Sequence, residues 1–176
     1  MDNFHMSNLI RRVSEGDIVA LEKIFNEMKD SIFSFVYMRT NNRQLAEDIL
    51  QETILQIYKS ANNYKRFSNP RAWILTIARN NAISAIRKTK AEQEFNESLQ
   101  NDNFDLLLNN KLNVLSILSV LSEEQREIVV LHAIAGLKHK EVSKLLNIPL
   151  GTVCWKYNES IKKLREFNYS EEEGAY

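Results

Sequence analysis

The stretch Lys138–Arg165, KHKEVSKLLNIPLGTVCWKYNESIKKLR, decides the fold. Two amphipathic segments, His139 to Leu146 and about Leu150 to Glu166, flank the turn Asn147-Ile148-Pro149. A short helix, a tight turn and a longer helix are the anatomy of a helix-turn-helix. In the second helix Val153, Tyr157, Ile161 and Leu164 recur at helical spacing and predict the stripe that faces a core. That leaves Thr152, Trp155, Lys156, Asn158, Lys162, Lys163 and Arg165 outward, with Lys138 at the start of the motif. Hydrogen-bonding groups near the N-terminal half can reach base edges in a major groove, and lysines further on suit phosphates. The same pattern also fits a small helical bundle with a solvated lysine face.

Moving outward from this motif, Ser122-Glu123-Glu124-Gln125 fits a capping box and predicts a helix ending near Gly136. Before it, Leu108, Leu112, Leu115 and Leu118 keep helical spacing. The segment from about Ala91 to Asn110 is acidic, rich in Asn and Gln and weakly periodic, so it reads as a flexible connector. From Ser7 to Lys90 the chain reads as successive helices. Leu9, Val13, Leu21, Ile24, Phe25, Met28, Ile32, Phe35 and Val36 form one apolar series. A helix over about Leu45–Ala61 buries Ala46, Ile49, Leu50, Thr53 and Ile57, and Asn69-Pro70 announces another that runs through Arg87. The expected organisation is all-α: a helical domain over 1–90, an acidic linker over 91–110, a helix-turn-helix domain over 111–168 and an acidic tail over 169–176.

Charge is balanced overall, with 23 Lys and Arg against 23 Asp and Glu, but it is segregated. From Tyr64 to Lys90 the bases Lys65, Arg66, Arg71, Arg79, Arg87, Lys88 and Lys90 stand without an acid. Glu92, Glu94, Glu97, Asp102 and Asp105 follow without a base, and Glu171 to Glu173 close the tail. Such blocks read as binding surfaces separated by solvated connectors. The first mixes Arg and Lys with Tyr64, Phe67 and Trp73. Aromatic faces stack bases while cations track phosphates, which is the chemistry of single-strand capture. Trp73, flanked by Ile74 and Ile77, fits the core better; Tyr64 and Phe67 fit a surface loop. Asp48, Gln51, Glu52 and Leu55 share one face of their helix, opposite its buried stripe.

Several function classes are excluded or disfavoured. The single Cys154 allows no internal disulfide and no Cys/His zinc spacing, so no metal and no cofactor are expected. Asp48 and Glu52 make a poor acid/base pair, since no nucleophile or ligand histidine accompanies them; no Walker loop or GxSxG is present, and no enzyme is expected. His132 on an apolar helix fits a satisfied core histidine. No signal peptide is legible at MDNFHMSN, and the apolar run Ile128–Leu137 is too short to span a bilayer. The expectation is a soluble, cytoplasmic protein without membrane insertion.

Two segments carry a resemblance. Leu121–Glu166, with its Leu-Ser-Glu-Glu-Gln-Arg opening, Gly136, Gly151-Thr152-Val153 and closing Lys162-Lys163-Leu164-Arg165, resembles the promoter-binding C-terminal region of bacterial sigma factors of the extracytoplasmic-function class. Ala46–Lys88, AEDILQETILQIYKSANNYKRFSNPRAWILTIARNNAISAIRK, resembles the core-binding and melting region of the same family. The resemblance implies that Asp48, Gln51, Glu52 and Leu55 dock on the clamp region of the largest subunits of core RNA polymerase. It implies that Tyr64, Arg66, Phe67, Ser68, Asn69 and Arg71 form the loop that captures an extruded base of the downstream promoter box. Arg79, Asn80 and Arg87 would contact duplex or backbone beyond it. Lys138, Thr152, Trp155, Lys156, Asn158, Lys162 and Lys163 would read the upstream box, and an anti-sigma partner is implied. One departure stands out: the family places basic residues where this chain has Asn158 and Glu159, just after Trp155. Glu159 could accept from a cytosine amino group or simply weaken phosphate binding. The competing reading is a stand-alone helix-turn-helix regulator with an N-terminal sensor or dimerisation domain.

Overall fold

The computed structural model describes residues 3–65, 68–95 and 117–173, and its chain divides into two compact units, 1–99 and 100–176. The first holds α1 (Asn3–Ser14), α2 (Ile18–Thr40), α3 (Arg43–Ser60), a 3₁₀ turn over Ala61–Asn63 and α4 (Pro70–Phe95). The second holds α5 (Glu123–Val129), which passes into a π turn over Val130–Ile134, then α6 (His139–Leu146) and α7 (Leu150–Glu173). No strand occurs among the described residues.

In the first unit the apolar series from Leu9 to Val36 is cut once, at Glu15–Asp17. Gly16 takes φ +90°, a conformation that costs a glycine little. Asp17 then caps α2, its carboxylate accepting from the Ala20 N–H at 3.0 Å and from Arg12 Nε at 2.8 Å. Those bonds, that to Ala20 first, hold the Asp17 carboxyl below its usual range. The α2–α3 junction is built from two asparagines. Asn41 ends α2 in the left-handed region (φ 46°), and Asn42 starts α3 by accepting from the Leu45 N–H at 2.9 Å. Met6, Ile10, Ile24, Met28, Ile32, Phe35, Ala46, Ile57, Ile74 and Leu75 are wholly enclosed. Burial of each of these side chains larger than Ala46 contributes roughly 1.5–3 kcal/mol. Thr53 is the polar member of this core: it donates to the Ile49 carbonyl at 2.7 Å and accepts from Asn81 at 3.3 Å, tying α3 to α4.

α4 continues to Phe95, into the stretch whose composition reads as a connector, while residues 96–116 lie outside the described residues. The leucines at 108, 112 and 115 fall there too. α7 likewise runs through Glu173, into the acidic tail.

In the second unit the capping box forms as its residues predict. The Gln125 N–H reaches Ser122 Oγ at 3.3 Å, and the Ser122 N–H reaches Gln125 Oε1 at 3.2 Å. Gly136 (φ +72°) stops the π turn. α6 ends at Asn147 in the left-handed region (φ 58°), and Ser143 Oγ donates to the Ile148 carbonyl at 2.7 Å, fixing the turn before α7. Ile128, Val130, Leu131, Ala135, Leu137, Val142 and Val153 make the core. The buried stripe of α7 differs from expectation at one place. Ser160 is fully enclosed with Val153, whereas Tyr157, Ile161 and Leu164 are all half-buried, so Ser160 joins the four expected residues in the stripe. Ser160 is tolerated because its hydroxyl is satisfied within the helix, donating to the Lys156 carbonyl at 2.6 Å.

Candidate nucleic-acid and partner interface

The outer face of α3 is bare. Asp48, Gln51, Glu52 and Leu55 are all exposed, Leu55 by 52%, as the helix phase predicts. Tyr58, three residues further on the same side, is 44% exposed and extends the face; its i+3 spacing from Leu55 was the legible signal. Glu47 is occupied by Arg43 at 2.9 Å, but Asp48 and Glu52 have no cation beside them among the described residues. The face therefore offers two uncompensated carboxylates around exposed apolar groups.

The loop into α4 is different: much of its polar equipment is spent on its own shape. Tyr64 packs edge-on against Trp73, ring centroids 5.3 Å apart. Its single hydroxyl proton goes to the Ser68 carbonyl at 2.7 Å, so its oxygen accepts from Ser7 Oγ of α1, also at 2.7 Å. Ser68 donates to the Lys65 carbonyl at 2.7 Å. The Asn69 side-chain oxygen caps α4, accepting from the N–H groups of Arg71 (2.9 Å) and Ala72 (3.2 Å). Arg71 pairs with Glu27 of α2 at 2.8 Å, both side chains largely covered. The run from Tyr64 to Lys90 is thus free of acids in sequence but not in space. Arg66 and Phe67 lie outside the described residues. Further along α4, Asn80 and Arg87 are exposed and Arg79 is half-buried.

In the second unit Lys138, Trp155, Asn158, Lys162 and Lys163 are exposed and Thr152 half-buried. Lys156 departs from the outward reading: its ammonium is drawn to Glu124 on the first turn of α5, at 2.5 Å, and its side chain is largely covered. Lys163 leans the same way, donating to Gln125 Oε1 at 3.2 Å. Trp155, Asn158, Glu159 and Lys162 hold the middle of the outward face.

Comparison with known proteins assigns these surfaces a family. Sigma-70 region 2 matches residues 24–92, and Sigma-70 region 4 matches residues 111–153. The sigma factor SigW of Bacillus subtilis, an ECF RNA polymerase sigma factor, is 30% identical over 179 aligned residues, covering 89% of this chain and 93% of SigW. The chain belongs to the ECF sigma factors of RNA polymerase. SigK of a Mycobacterium species (strain JLS) is 26% identical over 168 residues, covering 89% of this sigma factor and 87% of SigK.

The sigma factor fold is shared with solved structures. CnrH, in complex with the cytosolic domain of CnrY, superposes with a TM-score of 0.68 at 17% identity, covering 94% of this chain and 98% of CnrH. The sigma factor RpoE of Bartonella quintana, in complex with the anti-sigma factor NepR, gives 0.65 at 20% identity, covering 82% and 94%. Because the N-terminal unit itself matches region 2, a stand-alone regulator with a sensor domain is not favoured. This sigma factor functions in promoter-directed transcription initiation. Among the described residues, no helix is long and apolar enough to cross a membrane.

Reading the sequence missed the contacts that join distant segments of the sigma factor. His132, His139 and Tyr157 form one ring cluster, with centroids 4.2 to 4.9 Å apart. His132 Nδ1 donates to the Leu137 carbonyl at 2.7 Å, and Cys154 Sγ lies 3.5 Å from His139 Nδ1. Burial first, and then the neighbouring His132, push the His139 pKa down. His132 is thus a satisfied structural histidine, and no group of three or more metal-ligating side chains occurs among the described residues.

Proposed function

We propose that this sigma factor divides initiation among three faces. The α3 face of Asp48, Gln51, Glu52, Leu55 and Tyr58 docks on core RNA polymerase, on the clamp region of its largest subunits. The loop into α4, with Arg66, Phe67 and the scaffold of Tyr64, Ser68, Asn69 and Arg71, receives an unpaired base of the downstream box. Arg79, Asn80 and Arg87 follow the adjoining duplex. Lys138, Thr152, Trp155, Asn158, Lys162 and Lys163, with Lys156 in a lesser part, engage the upstream box. Extruding a base costs a few kcal/mol, and a site shaped in advance to hold it biases opening toward its own sequence. The work is binding and strand opening, with no covalent chemistry and no cofactor. It takes place in the cytoplasm, and an anti-sigma partner, in the manner of NepR on the RpoE of Bartonella quintana, masks one or both units.

The observation that most supports this division is the α3 face, where Asp48 and Glu52 carry no counter-charge beside a half-exposed Leu55. Carboxylates of that kind are complementary to a basic partner and costly against an acidic one. Start-site mapping with core enzyme and a promoter library tests the whole reading: new start sites appear when the chain is added. With Asp48→Arg and Glu52→Arg together, co-precipitation of polymerase subunits drops by about tenfold or more, since like charges then meet. Addition of the chain without any new start site overturns it.

A further inference from the structure

Resting on the reading of α7 as the helix that meets duplex DNA, the arrangement of its outward face bears on which bases it takes. Trp155 is 62% exposed, with its indole open to solvent. Glu159 lies one turn further along and about 40° around the helix, on the same face. Its carboxylate makes no hydrogen bond or ion pair with any described residue. Of the lysines within a turn of it, Lys156 is held by Glu124 at 2.5 Å and Lys163 is turned toward Gln125, while Lys162 is exposed and makes no ion pair with it. The family match ends at Val153, so both Trp155 and Glu159 lie beyond it.

A bare carboxylate in this position is repelled by phosphate oxygens, and it is accommodated in a major groove only where an amino group faces it. Cytosine N4 and adenine N6 both carry amino groups. Adenine sets the N7 acceptor beside its own, which repels a second acceptor; cytosine does not, so cytosine is the fit. The indole has no acceptor and a broad apolar face, and the one apolar group on a major-groove base edge is the thymine methyl. Four residues of helix rise about 6 Å, against roughly 3.4 Å between stacked base pairs. The two side chains therefore address bases one or two steps apart.

We propose that Trp155 and Glu159 are the base-discriminating pair of this sigma factor: Trp155 against a thymine methyl, and Glu159 accepting from the amino group of a cytosine one or two steps away. Holoenzyme reconstituted from core enzyme and the full chain, offered promoters randomised in the upstream box, tests it. The retained pool carries T and C at one or two steps' spacing. Glu159→Gln loses about tenfold in preference for that C. Replacing the selected thymine by deoxyuridine, which lacks the methyl, weakens the parent holoenzyme about fourfold and leaves Trp155→Ala unmoved. Both side chains project from the helix away from its buried stripe, so the substitutions leave the core of the unit intact. Tighter binding of Glu159→Gln to every sequence alike would make Glu159 an electrostatic brake and overturn its part. Indifference of the parent to the missing methyl would overturn that of Trp155. If the holoenzyme forms no new start site at all, the reading of α7 fails, and the pair falls with it.

Discussion

His139 sits where α5, α6 and α7 converge, against His132, Tyr157 and Cys154. Its Nε2 is buried with no hydrogen-bond partner, so a proton added there would be a buried, unsatisfied donor on a ring already facing another imidazole. The folded-state pKa is accordingly pushed below the usual 6.5. The unfolded chain then takes the proton first as pH falls, and stability follows the difference in bound protons. The second unit is fully stable above about pH 6.5 and loses stability as the pH drops below it toward the lowered folded value. Denaturant titrations at pH 5.5 and 7.5, followed by circular dichroism, measure this. The midpoint falls at the lower pH in the parent, and falls less in His139→Phe. An unchanged midpoint in the parent would show the His139 imidazole to be solvated in both states. Nothing in the sequence marked this cluster, because His132 and His139 are separated by a turn and meet Tyr157 only after α7 has packed.

At the scale of the element, the α4 start shows a cap and a binding loop built from the same residue. Asn69-Pro70 was legible as a helix start because both its side-chain chemistry and its proline act locally, and the cap bonds form as that reading requires. The same holds for the Ser122–Gln125 box. By contrast, Glu27–Arg71 spans 44 residues and Lys156–Glu124 spans 32, distances at which no periodicity operates. The sequence therefore showed the helices and their exposed faces, but not which cations on those faces were already engaged. Loss of the cap in Asn69→Ala lowers stability by about 1 kcal/mol, read as a shift in the denaturation midpoint. Asn69→Asp separates the two roles of this residue. It keeps the acceptor, and its charge suits the N-terminus of α4, so stability is held or slightly raised. The added negative charge faces the strand that the loop is proposed to receive, so open-complex formation, followed by permanganate reactivity of unpaired thymines, declines. Undiminished opening by Asn69→Asp would place the captured strand away from α4's first turn.

Over the whole molecule, 23 bases balance 23 acids, and the partition of that charge matters more than its sum. Affinity for duplex DNA grows with the number of phosphates neutralised, each contributing about 0.9 to the slope of log K against log salt. On α7 the exposed Lys162 is available for that work, whereas Lys156 must first give up Glu124. The chain without polymerase should consequently bind an upstream-box duplex weakly and with a shallow salt dependence. Fluorescence anisotropy across a salt series tests the partition directly. Lys162→Ala reduces the slope by about 1. Lys156→Ala reduces it by less than half as much, because the ammonium it removes was already neutralised within the protein. Glu124→Gln provides the converse: with Lys156 released, the slope steepens and duplex affinity rises, while the half-exposed position of the carboxamide keeps the loss in stability to about 0.5 kcal/mol. Equal slopes for Lys156→Ala and Lys162→Ala would mean that the ion pair across the unit opens whenever DNA arrives, and that both lysines serve the phosphates alike.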